Sequence, residues 1–395
     1  MNKKTLRIAE ELVKTAEDLI FADSDYIYDP DHKKHPGGGY HKTEKGWSKK
    51  EEKKEKSTSS PKVKMTNEQK KLDEMAKSGN YGIRENVAKN PNTSVKTLDK
   101  LSNDEYFEVR ENVAKNPNTS PETLDKLSND EDYAVRHYVA KNPNTSPETL
   151  DKLSNNDEYG NIRVNVAEHP NTSPETLKKL SNDENYEVRY EVAKNKNTPV
   201  KTLDKLSNDE DYEIRYYVAE NPNTSVKTLD KLSNDKSDEV RRNVAENPNT
   251  PVKTLDKLSN DEYYGIRENV AKNKNTSVKT LDKLSNDEDY EIRWNVATHP
   301  NTSPKTLDKL SNDKEKYVRV NVVEHPNTSP ETLKKLSNDK DDKIRTIAKE
   351  KLSQKVLDNS GFDFSKLSPE LREKVKDWDI EDIKKFLGWL KKQKG

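Results

Sequence analysis

Thr93-Ser-Val-Lys-Thr-Leu-Asp-Lys-Leu-Ser-Asn-Asp-Glu-Tyr-Phe-Glu-Val-Arg-Glu-Asn-Val-Ala-Lys115 is one copy of a phrase that recurs along most of this 395-residue chain. An arginine after Val or Ile marks each copy: Arg84, Arg110, Arg136, Arg163, Arg189, Arg215, Arg241, Arg267, Arg293, Arg319 and Arg345. The interval is 26 residues throughout, except between Arg136 and Arg163, where one extra residue enters near Gly160 and Asn161. A fixed period of this length is the signature of a solenoid, in which stacked units bury apolar faces that none could bury alone.

Within the copy, the apolar spacing reads as two short helices and no strand. Thr93 is placed as an N-cap, and the aligned Thr119, Thr145, Thr172 and Thr328 precede Ser-Pro-Glu, a capping-box pattern with proline in the first turn. In Thr198-Pro199 and Thr250-Pro251 the proline is expected at the first helical position. The first helix buries Leu98 and Leu101. Asp104 is the expected cap of the second, which runs through Val109, Val113 and Ala114 and stops at Asn116-Pro117, because proline disfavours helical geometry in the residue before it. Leu72 and Met75 stand at the same offset from Arg84, so residues 66–77 form a degenerate first helix and the array holds eleven pairs.

The phrase Val-Arg-x-x-Val-Ala-x-Asn-Pro-Asn-Thr-x-x-x-x-Leu-x-x-Leu-Ser resembles the leucine-rich repeat variant, a HEAT-like helical repeat, over roughly residues 66–352. The resemblance implies an all-α, right-handed α-solenoid of about eleven two-helix repeats, akin to adaptor-type scaffolds. Some relatives carry an iron–sulfur cluster on an appended cysteine motif. This chain has no cysteine, so that feature does not transfer. HEAT-like relatives that bind DNA keep nucleic acid as an alternative.

Only 29% of residues are apolar and 37% are charged, yet the apolar ones recur at fixed places and can build a thin continuous core. A net charge of −1 removes the simplest electrostatic case for nucleic acid or an anionic membrane. The acidic residues Glu10, Glu11, Glu17 and Asp18 do not suit a secretory apolar region, and no apolar run reaches membrane-spanning length. The expectation is a soluble cytoplasmic protein, and the Lys/Asn-rich vocabulary points to a bacterial or phage genome.

On a helical wheel of about 100° per residue, the Val/Ile before the arginine, the following Val and Ala, and the aromatic three residues before it (Tyr133, Tyr186, Tyr212, Tyr290) share the arginine's side. The arginines are therefore expected to face inward and pair with repeat aspartates such as Asp104, Asp130, Asp209 and Asp287, since an unpaired buried guanidinium is costly. The residues after each arginine face outward, and variation between copies concentrates there. Glu85, Glu111, His137, Tyr190, Tyr216, Arg242 and Trp294 follow the arginine directly; Asn86, Asn112, Tyr138, Asn165, Tyr217, Asn243, Asn269, Asn295 and Asn321 come next. These sixteen residues are the candidate partner-binding stripe. Drift at unconstrained sites predicts the same variability, but Tyr and Trp are favoured interface anchors. The asparagines suit either a partner or the neighbouring unit's backbone. The stripe leans acidic, which disfavours phosphate contacts and suits a protein or peptide, a basic one included.

No nucleophile–base–acid constellation is present, and no catalytic residue, metal site or cofactor is assigned. His169, His299 and His325 each replace the asparagine before proline and read as structural. His32, His35 and His41 lie in a Gly/Pro-containing segment, and Gly37-Gly38-Gly39 lacks the Gly-Lys-Ser/Thr of a phosphate loop. Residues 1–21 hold an amphipathic helix, 22–65 a flexible linker, 66–352 the solenoid, and 353–395 a helical cap. The function expected is a non-enzymatic scaffold that binds a protein or peptide along the stripe. The alternatives are a nucleic-acid groove, or a phage or assembly component whose N-terminal helix is a docking tag.

Overall fold

The computed structural model describes residues 40–43, 46–49, 66–156, 160–358 and 385. Among them, 22 helices run in eleven pairs, from Asn67–Met75 with Tyr81–Lys89 to Pro330–Leu336 with Asp342–Asp358. Contacts divide the chain into two bodies: Met65–Ala348, and the two chain ends together. In the first body, consecutive second helices lie against one another, and each first helix packs on the second helices flanking it. The array is an all-α solenoid.

In the second body, β1 (Tyr40–Thr43) and β2 (Gly46–Lys49) pair antiparallel, with Tyr40 opposite Lys49 and Thr43 opposite Gly46. The linker expected over 22–65 thus contains a hairpin. Its intervening Glu44 and Lys45 lack the Asn-Gly type of signal that would have announced it. The helix expected over 4–21 and the pair expected after residue 358 lie outside the described residues.

Each unit's core is the one read from the spacing. Leu98, Leu101, Val109, Val113 and Ala114 are all buried, as are their counterparts in later units up to that of Arg319; in the last, Lys349 stands exposed at the place of Ala114. The caps differ from expectation. Ser94, not Thr93, caps the first helix: its Oγ accepts the Thr97 amide at 3.2 Å. Thr93 is fully enclosed and donates its Oγ1 to the Val87 carbonyl at 2.6 Å, closing the end of the preceding second helix. The same one-residue shift puts Pro121 at the first helical position and makes Pro199 and Pro251 N-caps without a side-chain bond.

The second helix is capped by the residue two beyond the expected aspartate. Asp132, Asp211 and Asp289 accept amides there, whereas Tyr106 and Tyr263 offer no side-chain bond. Proline does not define where this helix stops. The helix Tyr186–Lys194 ends at Asn195 in extended geometry, as its neighbours do, although Lys196 follows in place of proline. What the ends share is a side-chain acceptor, asparagine or histidine, followed by a threonine: Asn195 Oδ1 accepts the Asn197 amide at 2.9 Å, and Thr198 Oγ1 reaches the Val192 carbonyl at 2.6 Å.

Units are tied together by side chains reaching orphan backbone carbonyls of the unit before. Asn221 Nδ2 donates to Ala193 O at 2.7 Å and Asn195 O at 3.1 Å, a pattern repeated at Asn116, Asn142, Asn247 and Asn273. Among first helices, Thr254 Oγ1 donates to Asp230 Oδ1 at 2.8 Å, and Thr176 to Asp151 at 2.9 Å. Helix ends necessarily leave carbonyls without an intrahelical partner, and each unit supplies donors to its predecessor's.

Candidate interaction surface on the second helices

The repeat arginines form an inter-unit ladder. Nine of them make ion pairs with the aspartate 20 residues on, in the next unit, from Arg84–Asp104 to Arg319–Asp339. Each is bidentate, as at Arg215, whose Nε reaches Asp235 Oδ2 at 2.7 Å and Nη2 reaches Oδ1 at 3.0 Å. The remaining Nη1 donates to carbonyls of the arginine's own unit, Asp209 O at 2.8 Å and Glu210 O at 3.0 Å. Donating to the Asp235 carboxylate holds the Arg215 guanidinium even more firmly protonated than usual, burial opposing it. Burial alone would raise the Asp235 pKa; the bonds from Arg215 and the Ser237 amide outweigh it and lower it. Planar fork geometry of this kind is what arginine offers and lysine does not. These charges are engaged in the frame and are not presented to a ligand.

The sixteen stripe residues divide by depth. Asn86, Arg242 and Trp294 are exposed, the last at 41%. Glu85, Glu111, His137, Tyr138, Tyr190, Tyr216, Tyr217, Asn269 and Asn321 are half-buried. Asn112, Asn165, Asn243 and Asn295 are buried in the seam between second helices. Asn112 Nδ2 donates to Glu108 O at 2.7 Å, Asn295 to Glu291 O at 2.8 Å, and Asn243 to the preceding unit's Tyr216 O at 3.2 Å. Asn165 Nδ2 lies 3.0 Å from His137 Nδ1. These four amides therefore serve the frame, a correction to their place in the stripe. The sequence wheel could not show it, because the seam between adjacent helices narrows what counts as outward.

The acidic lean of the stripe is also partly matched on the helices themselves. Lys89 bonds Glu85, Lys115 bonds Glu111 and Lys272 bonds Glu268, each one turn apart, at 2.5, 2.5 and 2.6 Å. Such exposed pairs contribute little to stability but remove net charge.

Where tyrosine replaces the seam asparagine, an aromatic cluster forms. The Tyr190 and Tyr217 rings lie 4.6 Å apart at 70°, with Tyr190 Oη donating to Tyr217 Oη at 2.9 Å. Tyr216 meets Tyr217 edge-on at 4.9 Å, and Lys194 Nζ stands 4.9 Å above the Tyr190 ring. The Tyr217 phenol is pushed up to about 12, first by its bond with Tyr190 and then by burial. One earlier instance of the theme joins His137 and Tyr138 edge-on at 5.1 Å beneath Lys115, whose Nζ is 3.9 Å from the Tyr138 centroid.

His169, His299 and His325 occupy the inter-unit asparagine position. Each ring's Nε2 lies 3.0 Å from a carbonyl of the preceding unit, and each Nδ1 accepts the amide two residues on. Burial lowers the pKa of His169 and His299. Among the described residues no group of His, Cys, Asp or Glu is placed to hold a metal ion. No helix among them is long and apolar enough to cross a membrane.

One feature corrects the wheel outright. Tyr133, Tyr186, Tyr212 and Tyr290, expected on the inner arc, are exposed, at 53, 50, 46 and 44%. They stand in the first turn of each second helix. Angular position alone does not predict burial at a helix end.

Residues 107–132 and 238–262 match the sequence family described as Leucine rich repeat variant. No curated protein matches the chain. Similar solved structures include a leucine-rich repeat variant described as having a novel repetitive structural motif. It is 24% identical, over 56% of this chain and 86% of that one, with a TM-score of 0.43. An engineered protein matches at 18% identity over 74% of this chain and 99% of its own, with a TM-score of 0.30. A structure described as Kap95p binding to RanGDP matches at 8% identity over 80% and 60%, with a TM-score of 0.34.

Proposed function

From a solenoid in which residues 107–132 and 238–262 match the leucine-rich repeat variant, we propose a non-enzymatic scaffold that holds a protein or peptide partner along its second helices. The observation that carries this reading is the aromatic cluster of Tyr190, Tyr216 and Tyr217, with Trp294 exposed on the same helical positions. The frame around them is nearly invariant from unit to unit, while these positions run through Glu, His, Val, Tyr, Arg, Trp and Thr. Large rigid aromatics on a fixed backbone give contact area at low entropic cost. Arg242 lies one unit beyond Tyr216 and offers a further anchor. Glu85 and Glu111 have a lysine partner one turn away, so charge sets the rim of this surface and aromatics its centre.

The test is capture of a partner from a host lysate by the wild type and by a Tyr216→Ala, Tyr217→Ala, Trp294→Ala variant, each with and without nuclease. A protein held by the wild type through nuclease treatment and lost by the variant is the expected result. Equal capture by both removes the stripe as the binding surface. Capture abolished by nuclease replaces this reading with nucleic-acid binding.

A further inference from the structure

The exposed aromatics at the start of the second helices form a further row of rings, one turn before the stripe positions. Tyr186, Tyr212, Tyr264 and Tyr290 are each about half open to solvent, and Tyr263 adds a further 48% exposed ring beside Tyr264. Tyr186 and Tyr212, and again Tyr264 and Tyr290, hold one position in successive units, with Asp238 between the two pairs, so the rings form a face rather than scattered surface residues.

The charges beside the rings select the occupant. The aspartates of the arginine ladder are already neutralised; Glu105, Glu131 and Glu288 next to them stand 3.6, 3.5 and 3.8 Å from the same arginines, yet at 77, 89 and 92% exposed they stay open to solvent. Glu213 raises the Tyr212 phenol pKa by its charge, and Glu291 raises that of Tyr290, chiefly through its hydrogen bond and then its charge; both shifts report the same negative field. An open niche between two units is lined by Glu262, Tyr263, Tyr264, Arg267, Glu288 and Asp289. Arg267, its one cation, is held bidentately by Asp287. Aromatic faces flanked by carboxylates are the chemistry that receives an ammonium or guanidinium group.

Spacing then restricts the backbone that could present such groups. Packed helices stand roughly 8–10 Å apart, so equivalent positions of successive units recur at about that interval. A β-strand covers it in about three residues, but its side chains alternate and every third one points away. A polyproline-II helix turns once in three residues and rises about 9.3 Å in doing so, returning every third side chain to the same face. We propose that this edge binds a polyproline-II segment bearing Lys or Arg at every third residue, one cation per unit.

The probe is a fluorescent (Lys-Pro-Pro)6 peptide, compared by anisotropy with an isomer of identical composition whose six lysines are contiguous. At about 0.15 M salt, where long-range attraction is screened, the periodic peptide should bind on the order of tenfold more tightly. Tyr212→Ala, Tyr264→Ala, Tyr290→Ala together should weaken it by about tenfold, from three lost cation–π contacts. The corresponding Tyr→Phe variant should retain binding, which separates lost rings from lost folding. Glu210→Gln, Glu262→Gln, Glu288→Gln should also weaken it. Equal binding of the two isomers, no effect of the alanine variant, or no binding of the periodic peptide would each overturn the proposal.

Discussion

Replacing Arg293 by methionine tests whether the arginine ladder holds the units together. In the native protein Arg293 Nε meets Asp313 Oδ2 at 2.6 Å and Nη2 meets Oδ1 at 3.0 Å, with side-chain exposures of only 8 and 6%. Its Nη1 also bonds Asp287 O at 2.7 Å and Glu288 O at 3.0 Å. Methionine fills much of the volume but leaves the Asp313 carboxylate enclosed with a single remaining donor, the Glu315 amide at 2.9 Å. Breaking one side of a buried pair costs about 3–5 kcal/mol, and that surviving bond places this case near about 3. Adding Asp313→Asn removes the stranded charge, so the double variant should recover part of the loss and cost about 1–2 kcal/mol.

Acid gives an independent check. Burial would raise the Asp313 pKa, but bonds from Arg293 and the Glu315 amide outweigh it and lower it. The pair's stabilisation is therefore complete above the unfolded carboxylate value of about 3.9 and disappears as pH falls through the folded value. The gap between wild type and Arg293→Met should close at low pH. Because stability in a solenoid is a sum of unit and interface terms, the damage should be local. Hydrogen exchange, which does not require all-or-none unfolding, should show protection lost first in residues 304–348, beyond the broken rung. A cost below about 1 kcal/mol at neutral pH, the range of an exposed ion pair, or uniform loss of protection along the array, would refute the reasoning.

Three further outcomes are expected. In His169 and His299 both ring nitrogens are engaged, and burial lowers their pKa. Protons then favour the unfolded chain once pH drops below its histidine value of about 6.5. A His169→Asn, His299→Asn variant should lose less stability than wild type between neutral pH and about 5.5, measured as urea midpoints. Thr276→Val keeps the shape of a fully buried side chain but deletes its bond to Val270 O; hydrogen exchange near residues 264–276 should register a loss of about 1 kcal/mol. Asn321 carries a buried Nδ2 with no hydrogen-bond partner. Asn321→Leu should therefore raise the thermal midpoint, by a gain of about 1 kcal/mol or more; a lower midpoint would show that the amide is satisfied.

The eleven pairs and their core were legible in the sequence because they follow from periodicity. Leu98, Leu101, Val109, Val113 and Ala114 recur with a fixed arginine, and apolar residues at helical spacing have few other places to go. The inward arginine and its aspartate were legible too, since a buried guanidinium requires a carboxylate. Caps were read one or two residues off: Thr93 and Ser94 are both competent, and only the packed helix end decided that threonine reaches back while serine reaches forward. The candidate surface was less legible. A helical wheel treats each helix alone, whereas in the packed array Asn112 and Asn295 are enclosed between consecutive second helices and Tyr186 and Tyr212, in the first turn, are exposed. Sequence by itself determined the repeat, the core and the charge partners, because these depend on spacing along one chain. Which polar side chains face solvent was decided only by tertiary structure, because it depends on how closely neighbouring units approach.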